Sequence, residues 1–242
     1  MSKIIEKNTF KWYNIHIKIQ EDKNMELTAV ASWLNSTFAE FDLAIFDFFH
    51  RLHDSAAGGF FDVFFNAITT LGHDGIALII ISIILMLFKK TRKAGTAMLT
   101  GIIVGALFTN VTIKPLVARP RPYTHTDSPV YQWWLNAGAQ LESERSFPSG
   151  HTTSAMAMVT GLFCVTNKKV SWLAFFFAIF MGMSRIYLCV HYPTDVIGGI
   201  IIGGIAGIVG GLIVNCIYRH DEHKINNAYI NFSFADLKKK KA

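Results

Sequence analysis

Apolar and polar positions along the chain divide it sharply. From residue 75 onward, runs without an acidic or basic side chain cover 75–88, 94–113, 152–166 and 196–218, and a fifth, 170–185, carries only its terminal Arg185. As a helix the run 196–218 is about 35 Å long, enough to cross a hydrocarbon core of roughly 30 Å. The shorter runs approach that length once their neutral flanks are added. The segment 27–72 is rich in Phe but interrupted by Asp42, Asp47, Arg51, Asp54 and Asp62. It reads as amphipathic helix broken near Gly58 and Gly59 and lying at a membrane interface, with a sixth span over about 56–71 as the alternative. The pattern therefore predicts an all-α fold, a polytopic membrane helical bundle of five to six transmembrane helices. Its expected parts are a polar N-terminal segment (1–26), a membrane domain (27–220) and a basic tail (221–242). Gly199, Gly203, Gly207 and Gly211 recur every fourth residue in the last run, a small-residue stripe that lets helices approach closely.

Composition agrees. Hydrophobic residues make up 51% of the 242, charged residues only 17%, and the mean hydropathy is +0.33. Soluble domains carry roughly 25% charged residues, so a disordered chain is excluded and an ordinary soluble enzyme disfavoured. Residues 1–24 hold no apolar core of signal-peptide length, and no cleavable signal is expected. The three cysteines offer neither a disulfide framework nor a paired metal-ligand spacing.

The net charge of +6 is ambiguous until it is placed, because nucleic acid, anionic lipid and phosphorylated substrates all attract it. Of the 23 basic residues, 12 fall in three clusters: Lys89, Lys90, Arg92 and Lys93; Lys168 and Lys169; and Arg219, Lys224 and Lys238 to Lys241. Each cluster follows an odd-numbered confident run, so all three share one side, the cytoplasmic one. Segments 114–150 and 185–195 then face the extracytoplasmic side of a multi-pass cell-membrane protein. A cytoplasmic N-terminus requires one more span before residue 75. Nucleic acid is not needed to explain the balance.

Three polar groups lie at the ends of apolar runs on that opposite side, where charge is costly and usually functional. The first runs from Lys114 to Pro122 and includes Arg119 and Arg121, each followed by a proline that stops the helix. A fixed guanidinium binds phosphate bidentately, and an ammonium acts as a point charge; snorkelling to the interface is the competing account. The second, Phe147-Pro148-Ser149-Gly150-His151, opens a helix whose first amides make an anion site. An ordinary Pro-Ser cap explains that turn but not the histidine. In the third, Ser184 to Asp195, a helical first turn puts His191 and Asp195 on one face. The carboxylate can hold one ring nitrogen protonated and leave the other as nucleophile or base.

Together the groups resemble the three-part signature of the type 2 phosphatidic acid phosphatase family: Lys-x6-Arg-Pro (Lys114 to Pro122), Pro-Ser-Gly-His (Pro148 to His151) and Ser-Arg-x5-His-x3-Asp (Ser184 to Asp195). The resemblance implies an integral membrane phosphatase that needs no metal or other cofactor. In it His191 attacks phosphorus to form a phosphohistidine, Asp195 orients His191, and His151 protonates the leaving oxygen and then activates water. Lys114, Arg121, Ser149, Gly150 and Arg185 are the implied phosphate ligands. The implied substrate is a lipid phosphate or pyrophosphate, with undecaprenyl pyrophosphate first. Phosphatidylglycerophosphate, phosphatidic acid and phosphoryl transfer to another acceptor are the alternatives. A non-enzymatic lipid or anion transporter accounts for the cations but leaves the two histidines without a purpose. Arg119 is expected to face lipid headgroups or, less readily, phosphate. The loop 123–146, with Trp133 and Trp134, is expected to be an interfacial lid. His50, His53, His73, His125, His220 and His223 show no partner pattern and are read as interfacial or solvated.

Overall fold

A computed structural model of the chain describes residues 27–142 and 145–220; the N-terminal segment 1–26 and the basic tail 221–242 lie outside the described residues. The described residues are helical, with no strand among them. In chain order the helices are α1 (Ala29–Thr37), α2 (Ala39–His53), α3 (Gly58–Gly72), α4 (Ile76–Leu87), α5 (Arg92–Ala106), α6 (Lys114–Val117), α7 (Pro129–Asn136), α8 (Gly150–Val165), α9 (Lys168–Ser171), α10 (Ala174–Tyr187) and α11 (Pro193–His220). A π-helical stretch, Leu107–Ile113, continues α5 into α6.

Helices α5, α8 and α11 form the centre of the bundle, with α11 lying most extensively along α8. The glycine stripe makes this possible. A Cβ placed on Gly203 would stand 2.5 Å from the Thr153 carbonyl oxygen, and one on Gly207 would stand 2.6 Å from that of Ala157. On another face of the same helix, a Cβ on Gly210 would meet the Gly101 amide nitrogen of α5 at 2.6 Å. Backbone therefore packs on backbone. Small residues accordingly predominate among the buried ones of α8: Thr152, Thr153, Ala155, Ala157, Thr160 and Gly161, beside the larger Met158 and Val159. Outward faces carry bulk instead, as with Ile80, Ile83, Ile84 and Leu87 on α4 and Ile201, Ile205 and Leu212 on α11. Such surfaces suit a hydrocarbon solvent.

By length and composition three helices can cross a membrane: Arg92–Thr124, Lys168–Tyr187 and Pro193–Arg219. Gly58–Gly72 and Ile76–Leu87 qualify only as a pair bent by 61°, a broken span or a re-entrant loop. Among the described residues, three helices, or four with that pair, thus meet the length and composition of a span, and the expected count of five or six is not confirmed by this measure. The run 152–166 forms most of α8, which packs against α5, α10 and α11. The basic loops do meet at one end of the bundle. The Lys93 ammonium lies 5.6 Å from the Tyr218 ring centre, and the Asn215 side chain approaches the Cys164 carbonyl.

At the other end, α1 and α2 are anchored onto the bundle, with the Thr28 hydroxyl donating to the Val117 carbonyl at 2.5 Å. The stretch expected to be an interfacial lid is a packed cap. Trp134 and Tyr123 are fully buried and stack at 4.5 Å, and the Trp134 indole N–H donates to the Gln140 carbonyl. Trp134 is a core residue, so a headgroup anchor is not its role.

The packing generates a prediction. Replacing Gly207 by Val forces α11 off α8, and overpacking of this kind costs about 1–3 kcal/mol. The thermal midpoint of the detergent-solubilised protein should fall, whereas Gly204→Ala, where an added Cβ meets nothing within 4 Å, should hold or slightly raise it.

Candidate active site

The three sequence groups converge on one end of the bundle because each is delivered by a helix terminus. The π-helical turn carries the chain to Lys114, and Pro115 and the left-handed Ala118 (φ 48°) end α6 and redirect the backbone. Arg121 follows in extended conformation at the start of a 3-10 turn, Pro122–Thr124. Ser149 is the N-cap of α8, and its side chain accepts from the Thr152 hydroxyl at 2.9 Å. After α10, Cys189 adopts φ 53°, and the turn it makes brings His191 inward just before α11 begins. Left-handed backbone at a non-glycine residue is uncommon and strained, and here it occurs beside two of the three groups.

Lys114, Arg121, Gly150, His151 and His191 line one cavity of about 300 Å³, together with Asn110, Glu142 and Ser154. All but the last three were singled out from the sequence. Arg121 Nη1 lies 2.8 Å from His191 Nε2 and also donates to the Val190 carbonyl at 2.8 Å. A guanidinium has no acceptor, so Nε2 must be the unprotonated nitrogen. The proton of a neutral ring then sits on Nδ1, which faces Asp195 Oδ2 at 3.5 Å. This distance is beyond normal hydrogen-bond length, and Nδ1 makes no closer polar contact. The tautomer follows from the partners rather than from observed hydrogens. Burial, reinforced by the charges of Arg121 and Arg185, holds the His191 imidazole well below its ordinary pKa of 6.5. The ring is neutral, with its lone pair on Nε2, where it accepts from Arg121.

Arg185 is fully buried, bonded to Thr69 Oγ1 of α3 and paired with Glu142, while its Nε has no partner. Burial alone would raise the Glu142 carboxyl, but Arg185, Arg121 and His191 hold it below the ordinary carboxylate value. An anion seeking Arg185 therefore competes with Glu142. Ser149 does not line the cavity. Its hydroxyl is engaged with Thr152 and its amide donates to the Asp195 carbonyl at 3.0 Å, so it joins the starts of α8 and α11.

Arg119 departs furthest from expectation. It faces neither headgroups nor phosphate: it is fully buried, donating to Asp195 Oδ1 at 2.6 Å, Thr194 Oγ1 at 2.7 Å, Asn35 Oδ1 at 2.8 Å and Asp42 Oδ2 at 3.0 Å. Its guanidinium also lies 3.7 Å from the Tyr192 ring centre. Asp42 of α2 in turn accepts from the Thr194 amide and hydroxyl, both at 2.9 Å, at the positive end of α11. Two buried carboxylates need a cation, and Arg119 supplies it. Asp195 Oδ2 is held as well, by the Ser146 hydroxyl at 2.5 Å and the Tyr192 amide at 2.9 Å. The acceptance from Tyr192, three residues before Asp195, is one half of a capping box on α11.

Comparison with known proteins gives a consistent result. The family model described as PAP2 superfamily matches residues 94–219. An undecaprenyl-diphosphatase of Bacillus subtilis (strain 168), BcrC, is 31% identical over 138 residues, covering 55% of this chain and 64% of that protein. The chain thus matches somewhat less than two thirds of that relative's length. Among solved structures, Aquifex aeolicus LpxE is similar with a TM-score of 0.53 at 28% identity, covering 69% of this chain and 93% of that one. A transmembrane PAP2-type phosphatidylglycerolphosphate phosphatase from Bacillus subtilis has a TM-score of 0.56 at 24% identity, covering 81% and 92%, and so attests the fold alone. Apolar helices and transmembrane neighbours together mark a membrane protein.

Two measurements check this geometry. Arg119→Leu strands two buried carboxylates and should cost about 3–5 kcal/mol, read as a drop in thermal midpoint. Adding Asp42→Asn to that variant should recover part of the loss, because the two sites share a partner. Second, a histidine held neutral when folded takes up a proton on unfolding once the pH falls below its unfolded value of about 6.5. His191 therefore lowers stability progressively as pH falls through that value. His191→Gln should show a shallower decline of thermal midpoint between about pH 7 and pH 5 than the parent protein.

Proposed function

The chain belongs to the PAP2 superfamily, and from that premise we propose that it is a membrane lipid phosphatase working through a phosphohistidine on His191, with undecaprenyl pyrophosphate as its leading substrate. The observation that carries the reading is the polarised imidazole: Nε2 at 2.8 Å from Arg121 in the cavity and Nδ1 turned to Asp195. The undecaprenyl-diphosphatase relative supports the substrate, and the range of lipid phosphates acted on by related proteins keeps the test a panel.

The steps follow from the residues. The terminal phosphoryl group enters among Lys114, Arg121, the start of α8 at Gly150, and Arg185, displacing Glu142 from Arg185. Cations and amides at these positions stabilise the charge that spreads over the equatorial oxygens. His191 Nε2 forms the bond to phosphorus as the bridging oxygen departs with its electron pair. His151, whose pKa burial and the charges of Arg185 and Arg121 hold down to about 2, takes up a proton with the phosphate anion that offsets those charges and gives it to that oxygen. The imidazolium created on His191 is stabilised by Asp195, whose own position is fixed by Arg119, Ser146 and Tyr192. His151, now neutral, takes a proton from water as that water attacks phosphorus and releases His191 and inorganic phosphate. A set of three cations repels a divalent ion, so the chemistry is proposed to proceed without one.

We further propose that the cavity opens on the extracytoplasmic side of the cell membrane, opposite the basic loops, where it meets a substrate whose tail stays in the bilayer. Phosphate release from undecaprenyl pyrophosphate, phosphatidylglycerophosphate and phosphatidic acid by the purified protein tests the whole reading. Release should be fastest from the pyrophosphate, persist with EDTA, and fall at least about 10³-fold in His191→Ala. Wild-type rates in that variant would remove His191 as nucleophile, and loss of activity with chelator would contradict a metal-free reaction.

A further inference from the structure

His50, His53 and Asp54, read from sequence as interfacial or solvated positions, meet outside the phosphate cavity. We propose that they form a binding site for a divalent first-row transition-metal ion, for which zinc is the probe, at the C-terminal end of α2. One ligand atom from each of the three lies within 4.8 Å of the others. His53 Nδ1 is 3.0 Å from Asp54 Oδ1, and His50 Nε2 is 3.3 Å from Asp54 Oδ2. Ligands bound at about 2.0–2.1 Å in a tetrahedron stand about 3.3 Å apart, a spacing each imidazole already has to one of the two Asp54 oxygens, so the carboxylate need only turn to offer a single oxygen to the ion. Two imidazoles and a carboxylate leave a fourth position for water, and imidazole nitrogen suits zinc, copper and nickel better than magnesium or calcium.

The surroundings orient the ligands. His53 presents Nδ1 to Asp54 and its other nitrogen, Nε2, to Asp62 Oδ1 at 3.6 Å. Asp62 is itself held by the Tyr187 hydroxyl, which donates to the same oxygen at 2.5 Å. A carboxylate behind the non-ligating nitrogen of a histidine is the usual support of a metal site, and Asp62, 3.6 Å away and just beyond hydrogen-bond length, stands where it can take up that bond. The chain is folded to permit it: Gly58 opens α3 so near the His53 carbonyl that any side chain there would collide with it, and the return brings Asp62 back to His53. His50 is fixed differently, by stacking on Trp133 of α7 with ring centres 4.6 Å apart. Asp54 is the C-cap residue of α2, at the negative end of the helix dipole, where a cation is favoured and an unpaired carboxylate is not. Both histidine side chains keep about a fifth of their surface exposed (21% and 23%), so an ion can enter from water. A bound ion clamps the end of α2 while its supporting partners extend to α3, α7 and α10.

The test uses the full chain in detergent, stripped with EDTA, dialysed, and titrated with zinc by calorimetry, with magnesium as control. One zinc per chain should bind at this site with a rise in thermal midpoint, and magnesium should give neither. His50→Ala and His53→Ala should each weaken zinc binding more than tenfold. Asp62→Asn, which keeps all three ligands, should weaken it about 10-fold through the lost support; it carries the test should the alanine variants not elute as folded protein. Unchanged zinc affinity in the His50→Ala/His53→Ala double variant, or no saturable zinc binding by the parent chain, would overturn the proposal and leave Asp54 as a simple ion-pair partner of the two histidines.

Discussion

The carboxylate of Asp195 is the constraint on which the rest of the site depends. It is fully buried, and five groups converge on it or on its backbone: Arg119 and Ser146 by side chain, Tyr192 by amide, His191 by ring, and Ser149 through the Asp195 carbonyl. An isolated buried charge is expensive; one satisfied on every side becomes a rigid reference point. The start of α8, the start of α11, the chain after α6 and the end of the cap loop are all fixed relative to it. Through Arg119, Asp42 extends the network to α2, so a helix outside the PAP2-matched region 94–219 helps hold the catalytic end.

The cavity inverts this logic. There the charges are mostly of one sign, and they are kept together by neighbours that neutralise them only in part. Glu142 occupies Arg185, while Arg121 leans on the His191 ring and the Val190 carbonyl. An entering phosphate exchanges weakly placed partners for its own oxygens. Burial, with the same positive field behind it, keeps His191 neutral and so preserves the lone pair that the proposed attack requires. Site and scaffold thus divide the work: compensated charge fixes positions, and undercompensated charge binds substrate.

Much of this was legible in the sequence because helix ends are local. Charge-free runs mark the helices, prolines mark their stops, and the motif spacing puts Lys114, Arg121, His151 and His191 at one end of the bundle, where they line one cavity. Partnerships distant in sequence were not legible. Asp42 read as an interruption of an amphipathic helix, although it lies against Thr194 and Arg119, and Arg119 itself was assigned to headgroups because nothing local reveals a carboxylate 76 positions away. Trp134 looked like an interfacial aromatic for the same reason, since its partner Tyr123 is brought near by the fold of the cap. Span number is less legible, because a short helix enclosed by others, like α8, does not show the length and apolar exposure of one that faces lipid.

The most direct test of the central claim is to trap the covalent intermediate. Rapidly quenched turnover with terminally labelled substrate should leave phosphate on the protein, stable in alkali and lost in acid, as a phosphoramidate requires. Peptide mapping should place it on residue 191. Label on any other side chain, or full-rate turnover with no trappable phosphoprotein in the parent enzyme, would contradict an attack by the His191 nitrogen that Asp195 and Arg121 polarise.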